Sequence, residues 1–325
     1  MTVIAIMDLG SNSTRMTISK VRSDGSYEVL QRSQSMVRLS EGMQSDKQLQ
    51  EKAMDRTIEV MKEFMETAKE FKAEKIVPTA TAAVRQATNQ QVFIDKLFKE
   101  TGLQLRVLTG LEEAHYDYLA IINTLQVTDT LIIDTGGGSV ELIYVQGTHM
   151  VQAISVPIGA VNLTEAYLEK DKISAKALFA AQLAVERQFS NVPWLQNVRH
   201  LPIVALGGSN RTFAKISRRA RNVMDLPIHG YRLTAEELFD IFAEVLVADL
   251  DERKKIPGLG KDRADIIVGG MLPLITALQY VDANQVIFSQ AGLREGIIFE
   301  YIMQQTGHAV VPPVPGDMTI DDDKN

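Results

Sequence analysis

The sequence predicts an α/β protein made of two similar halves. Three observations carry this: a short motif that occurs twice, strands that alternate with helical segments in both halves, and a length of 325 residues, enough for two apolar cores. The motif is an apolar strand followed by Asp-x-Gly-x-x-Ser. It runs from Ile4 through Asp8, Gly10 and Ser13, and again from Thr130 through Asp134, Gly136 and Ser139. In both copies the following residues read as another strand, 16–19 in the first and 141–145 in the second. Each motif is therefore expected to close a hairpin. In a dinucleotide-binding fingerprint the glycines open a helix, so that reading is disfavoured.

The remaining elements follow in order. The first half reads as a helix over 49–72, a strand over 74–78, a helix over 82–100, a strand over 103–108 and a helix over 112–125. The second reads as a helix over 174–189, a strand over 202–206 running into Gly207-Gly208-Ser209 and a helix from about Asn210. Further helices are expected over 234–250 and 262–279, a strand over 285–289 and a last helix over about 293–305. Strands alternating with helices predict mainly parallel sheets covered by helices. The expected domains are 1–126 and 127–310, with the last helix placed to pack back on the first domain. The acidic tail, 311–325, carries three prolines in its first five residues and is expected to be disordered.

Composition narrows the function classes. The chain has 45% hydrophobic and 23% charged residues, and no apolar window of about 18 residues that a membrane span needs. The absence of cysteine excludes disulfides, thiol nucleophiles and thiolate metal sites, and is compatible with the cytoplasm. The net charge of −7 gives no reason to expect a nucleic-acid partner. Any polyanionic substrate would need local positive charge. The run Arg211, Lys215, Arg218, Arg219 and Arg221 is a candidate, because 211, 215 and 218 share one helical face; a solvated basic face is the alternative.

Successive glycines after a strand leave backbone N–H groups able to cradle phosphate oxygens. Gly136, Gly137, Gly138 and Ser139 form the strongest such segment, with Ser11, Asn12 and Ser13 as its counterpart. Gly207, Gly208 and Ser209 lead into a helix and would use helix N–H groups instead. Carboxylates at strand ends beside such loops suit Mg²⁺, with Mn²⁺ as an alternative, and Asp134 is the first choice, supported by Glu141 and Asp8. Only a hairpin reversal could bring Asp134 and Glu141 together, and Glu141 could equally be an exposed strand residue. Glu112 has the spacing of a capping box with Thr109, whereas Glu113 does not. Glu113 could position or deprotonate water, or could favour the helix dipole. Arg85 could neutralise phosphate or face solvent. The five histidines show no zinc-ligand spacing, and Gly260-Lys261 is followed by Asp262, so no P-loop is present.

Taken together the motifs resemble the exopolyphosphatase and guanosine pentaphosphate phosphohydrolase family. The matching segments are DLGSNS at 8–13, VRLSEG at 37–42, TATAAVRQA at 79–87, GLEEA at 110–114, DTGGGSVEL at 134–142, GGS at 207–209 and GLREG at 292–296. The resemblance implies two actin-like domains of the ribonuclease H and sugar-kinase type with an interdomain cleft, Mg²⁺, and release of terminal orthophosphate by water. It also implies Glu113 as the catalytic base, Asp134 and Glu141 as metal carboxylates, and Arg85 with the glycine loops as phosphate ligands. The chain resembles the short, two-domain form, for which a homodimer is implied. Arg15, Ser209 and Ala291 depart from residues common in the family, and for Arg15 a phosphate contact and a solvent position are both open. The substrate is read as inorganic polyphosphate, with guanosine pentaphosphate as the alternative. An actin-fold kinase and a non-catalytic phosphate or nucleotide sensor are the more distant readings.

Overall fold

The computed structural model describes residues 1–43 and 46–312; most of the tail expected to be disordered lies outside the described residues. The chain forms two compact units, Met1–Asn123 joined by the segment that begins at Leu293, and Thr124–Gly292.

Unit 1 begins with β1 (Thr2–Leu9), β2 (Thr14–Val21) and β3 (Tyr27–Ser35), followed by α1 (Glu51–Glu70), β4 (Lys75–Ala80), α2 (Ala82–Gln86), α3 (Gln90–Thr101), β5 (Arg106–Val107) and α4 (Gly110–Ile122). The sheet order is β3-β2-β1-β4-β5, with β1 to β3 antiparallel and β4 and β5 parallel to β1. Strand β1 is apolar at nearly every position because it is covered on both faces. Ala5, Met7 and Leu9 share a core with residues of α1 and α3, while Ile4 and Ile6 share one with Leu108, Tyr116 and Leu119. Strand alternation then puts Asp8 on the Ile4–Ile6 side.

The helix expected over 82–100 is broken at Thr88 and Asn89. Thr88 donates to the carbonyls of Asp46 and Lys47, and the Asn89 amide exchanges two hydrogen bonds with the Leu49 backbone. These polar side chains bond to a distant loop instead of continuing the helix.

Unit 2 contains β6 (Thr130–Thr135), β7 (Val140–Gln146), β8 (His149–Val156), α5 (Ala160–Tyr167), α6 (Ala175–Ser190), a 3₁₀ turn (Pro193–Val198), β9 (Ile203–Leu206) and α7 (Gly208–Ala220). After these come β10 (Arg232–Thr234), α8 (Ala235–Val247), α9 (Leu250–Arg253), a second 3₁₀ turn (Lys261–Arg263), α10 (Ile267–Tyr280) and β11 (Gln285–Phe288). The sheet order is β10-β11-β9-β6-β7-β8. Without its edge strand β10 this repeats the order of unit 1, with β6 in the place of β1, and the duplicated order is the actin-like arrangement. The last helix, α11 (Leu293–Thr306), belongs to unit 1 and packs on α4 so closely that a methyl group added at Gly296 would meet the Tyr116 carbonyl oxygen at 2.0 Å.

The expectation of mainly parallel sheets is corrected to mixed sheets. Each hairpin is extended by a third antiparallel strand, β3 or β8, and β10 adds another antiparallel pair. Among the described residues no helix is long and apolar enough to cross a membrane.

Candidate functional site

In unit 1 the β1–β2 hairpin pairs Asp8 with Arg15 and Leu9 with Thr14, leaving a four-residue loop closed by Gly10 N–H donating to the Ser13 carbonyl at 3.1 Å. Ser11, Asn12 and Ser13 are buried. The loop is held from outside by the 37–42 segment, where Arg38 N–H donates to the Asn12 carbonyl at 2.9 Å and Ser40 N–H to the Ser11 carbonyl at 3.0 Å. Five side-chain atoms of this hairpin are buried without a hydrogen bond: Oδ1 of Asp8 and Nδ2 of Asn12 at the loop end, and the hydroxyls of Thr14, Thr17 and Ser19 along β2. Burial pushes the Asp8 carboxyl above its ordinary value, against the nearby positive charges of Arg294 and Arg15.

Glu113 and Arg85 also belong to unit 1, and the structure brings them together. The capping box at α4 forms between Thr109 and Glu112, with Glu112 Oε2 accepting from Thr109 N–H at 2.7 Å. Glu113 takes no part in that cap and is only 7% exposed. Its Oε1 pairs with Nη1 of Arg85, which also donates to the Leu108 carbonyl at 2.8 Å. Arg85 is therefore fixed beside Glu113, a pairing that a separation of 28 residues conceals in the sequence.

Unit 2 repeats the loop closure. Asp134 faces Glu141 and Thr135 faces Val140 across β6 and β7, and Gly136 N–H donates to the Ser139 carbonyl at 3.0 Å. The carbonyls of Gly136 and Gly137 accept from Ala160 N–H and Val161 N–H at the start of α5. Because C=O and N–H point in opposite directions across a trans peptide, the N–H groups of Gly137 and Gly138 point away from α5. Glu141 is buried and accepts from Ser155 Oγ at 2.7 Å, so it is not an exposed strand residue. Asp134 lies against the third loop: at Gly207, whose φ is +91°, an added methyl would meet Asp134 Oδ1 at 2.6 Å and the Thr135 carbonyl oxygen at 2.4 Å. Asn210 joins the same two loops, donating to Thr135 Oγ1 and to the Leu206 carbonyl. Gly208 starts α7, whereas the Ser209 hydroxyl is turned against Gly270 of α10.

The basic face needs one correction. Arg218 is buried, with Nη2 bonded to the Met224 carbonyl, and is unavailable to recruit a polyanion. Arg211, Lys215 and Arg219 are the partly exposed cations of α7, four residues apart, while 218 falls at the rim of the buried face.

Several residues near these loops carry no obvious sequence signal. Asp117, one turn beyond Glu113, is buried. Arg294 and Glu295 act electrostatically on Asp8, and Glu295 lies 3.8 Å from Arg32; the GLREG motif was their only signal. In unit 2 the Arg263 guanidinium covers Gly208, where an added methyl would meet its Cζ at 2.6 Å. Among the described residues no group of three or more His, Asp or Glu side chains converges as a metal cage.

Comparison with known proteins places these features in context. A model of the Ppx/GppA phosphatase family matches residues 17–305. A guanosine-5'-triphosphate,3'-diphosphate pyrophosphatase from Photobacterium profundum is 28% identical over 94% of this chain, and a putative exopolyphosphatase from Haemophilus influenzae is 27% identical over 91%. A bifunctional 3-dehydroquinate synthase/phosphatase from Fusobacterium nucleatum is 27% identical over 91% of the chain. The chain spans 46% of the Fusobacterium protein's length, 60% of the Photobacterium protein's and 90% of the Haemophilus protein's. Among solved structures, a Ppx/GppA family member from Aquifex aeolicus aligns with a TM-score of 0.76 at 29% identity, covering 94% of this chain and 99% of that one. An exopolyphosphatase from Cytophaga hutchinsonii shares the fold, with a TM-score of 0.87 at 22% identity over 93% of this chain and 98% of that one.

Proposed function

Because the chain belongs to the Ppx/GppA phosphatase family, we propose that it hydrolyses the terminal phosphoanhydride bond of inorganic polyphosphate, releasing orthophosphate in a Mg²⁺-dependent reaction. The observation that carries this reading is the two unsatisfied atoms at the loop end of the β1–β2 hairpin, Asn12 Nδ2 and Asp8 Oδ1. A buried amide donor, Asn12 Nδ2, stands in the loop and a buried carboxylate oxygen, Asp8 Oδ1, at the end of β1 that leads into it, and each unsatisfied group costs stability unless a ligand completes it. A phosphate oxygen would complete the first and a bound water the second.

The donor set fits a hard divalent cation. Asp134 and Glu141 are cross-strand neighbours beside a glycine loop, and Mg²⁺ takes one or two carboxylates with water and substrate phosphate. When bound, Mg²⁺ would neutralise charge developing on the phosphoryl oxygens. In unit 1, Glu113 serves as the base: water oxygen bonds to the terminal phosphorus, the bridging P–O bond breaks with its electrons on the shortened chain, and the water proton passes to Glu113. Burying a carboxylate outside the helix cap is costly, and the paired Arg85 offsets that cost and orients Glu113. Arg85, the loop N–H groups of 11–13, 136–139 and 207–208, and the cations Arg211 and Lys215 are assigned to phosphate.

The testing experiment compares orthophosphate release from polyphosphate and from guanosine pentaphosphate, with and without Mg²⁺. Faster release from polyphosphate supports the reading, preference for the nucleotide transfers the same chemistry to the Photobacterium relative's substrate class, and release from neither rejects it. Light scattering in solution checks the homodimer, and cell fractionation the cytoplasmic location, that the family resemblance implies.

A further inference from the structure

Among the described residues the chain passes between the units twice, after Asn123 and before Leu293. Both connections meet one side chain within unit 2. His229, in the segment between α7 and β10, is 2% exposed. Its Nε2 lies 3.2 Å from the Thr124 carbonyl oxygen, at the start of the first connection. Its Nδ1 receives the Gln290 N–H at 3.3 Å and lies 3.3 Å from Ser289 Oγ, at the start of the second.

The partners fix the chemistry. A carbonyl only accepts and a backbone N–H only donates, so Nε2 must carry the proton and Nδ1 the lone pair. The adjoining backbone repeats the arrangement: Gly230 N–H donates to the Phe288 carbonyl at 2.8 Å, and Gly230, at φ +86°, sits where an added methyl would touch Leu125. Ser289 N–H is itself tied to the Ala205 carbonyl of β9 at 3.0 Å, so the second connection leaves from a fixed point of the sheet.

We infer that His229 is a positioning residue that couples the two connections, so that they flex as one hinge and not as two independent linkers. The kinetic consequence rests on the proposed function, in which each unit supplies part of the phosphate-binding machinery. Loosening the hinge then weakens substrate capture more than it slows chemistry on captured substrate.

Two variants each cut one arm. In His229→Asn the side-chain oxygen can still accept from Gln290 N–H but the amide does not reach Thr124; in His229→Gln the amide can still reach Thr124, and the acceptor for Gln290 is lost. Amide hydrogen exchange is measured on the full chain without substrate over 124–130 and 289–293, together with kcat and KM for polyphosphate. Either variant is expected to speed exchange at both connections about tenfold, as losing one buried hydrogen bond would, and to raise KM several-fold with kcat within about twofold. Exchange that rises only at the severed connection, or at neither, overturns the coupling. Faster exchange at both with KM unchanged reduces His229 to a packing residue. If the wild type does not act on polyphosphate, the exchange result still decides the coupling. Should neither variant fold, the imidazole nitrogen resonances of the wild type provide the test: the Nε2–H tautomer is required, and an Nδ1–H tautomer overturns the assignment.

Discussion

The two hairpins share a backbone and differ in what faces the aspartate. Both close a four-residue loop with a glycine N–H on a serine carbonyl, at 3.1 Å in unit 1 and 3.0 Å in unit 2. Across the strands, however, Asp8 faces Arg15 while Asp134 faces Glu141. A cation opposite the aspartate makes the first loop hospitable to an anion, and a second carboxylate makes the other hospitable to a divalent cation. One repeated scaffold thus presents two electrostatic surfaces, and the proposed division of labour follows from a single cross-strand position in each unit.

The largest effect is expected where unit 1 holds a group with no counterpart in the hairpin itself. Glu113→Gln should lower kcat by about 10²- to 10⁴-fold while substrate binding, measured by titration calorimetry, is kept; a near-normal rate would remove Glu113 as the base. At the third loop, Gly207→Ala should destabilise the fold by about 1–3 kcal/mol, because its φ of +91° strains an L-residue and the methyl would strike the Asp134 carboxylate; urea unfolding reads this.

The hairpin glycines sharpen the comparison. A methyl at Gly10 would meet the Ser13 carbonyl oxygen at 2.9 Å, against 3.2 Å to the Ser139 carbonyl oxygen at Gly136. Gly10→Ala should therefore cost more stability than Gly136→Ala, and equal melting temperatures would show that the two turns relax alike. The smallest effect concerns the α4 cap. Glu112 is held down to about 2, first by the Thr109 N–H and then by Arg106, from an ordinary value of 4.5. Its folded pKa lies below the unfolded one, so its contribution is complete above about pH 5 and is lost as pH falls towards 2. Wild type should exceed Glu112→Gln in stability near neutrality and lose that advantage over this acidic range in thermal melts.

Much of this comparison is legible in the sequence, because Asp-x-Gly-x-x-Ser after an apolar strand fixes both the turn and the strand that follows. The capping box at Thr109 and Glu112 is equally local. What the sequence conceals is non-local. The third strands β3 and β8 do follow local turn signals, Asp24-Gly25 and Gly147-Thr148, but their residues only partly alternate in burial, so the strand period itself is weak. Arg85 and Glu113 meet through separate helices, and the links of Arg294 and Glu295 to Asp8 depend on α11 returning to unit 1. Arg218 misleads because a helical face read from charge alone does not reveal where the core begins; one position further round, Arg219 is partly exposed.

The central claim, that the residue facing each aspartate decides what its hairpin binds, is tested most directly by the Mg²⁺ concentration giving half-maximal orthophosphate release from polyphosphate. Glu141→Gln should raise that concentration about tenfold, as loss of a charged ligand worth somewhat over 1 kcal/mol would, while Arg15→Ala should leave it in place and raise KM for polyphosphate instead. An unchanged Mg²⁺ requirement in Glu141→Gln, or a shifted one in Arg15→Ala, would contradict the account.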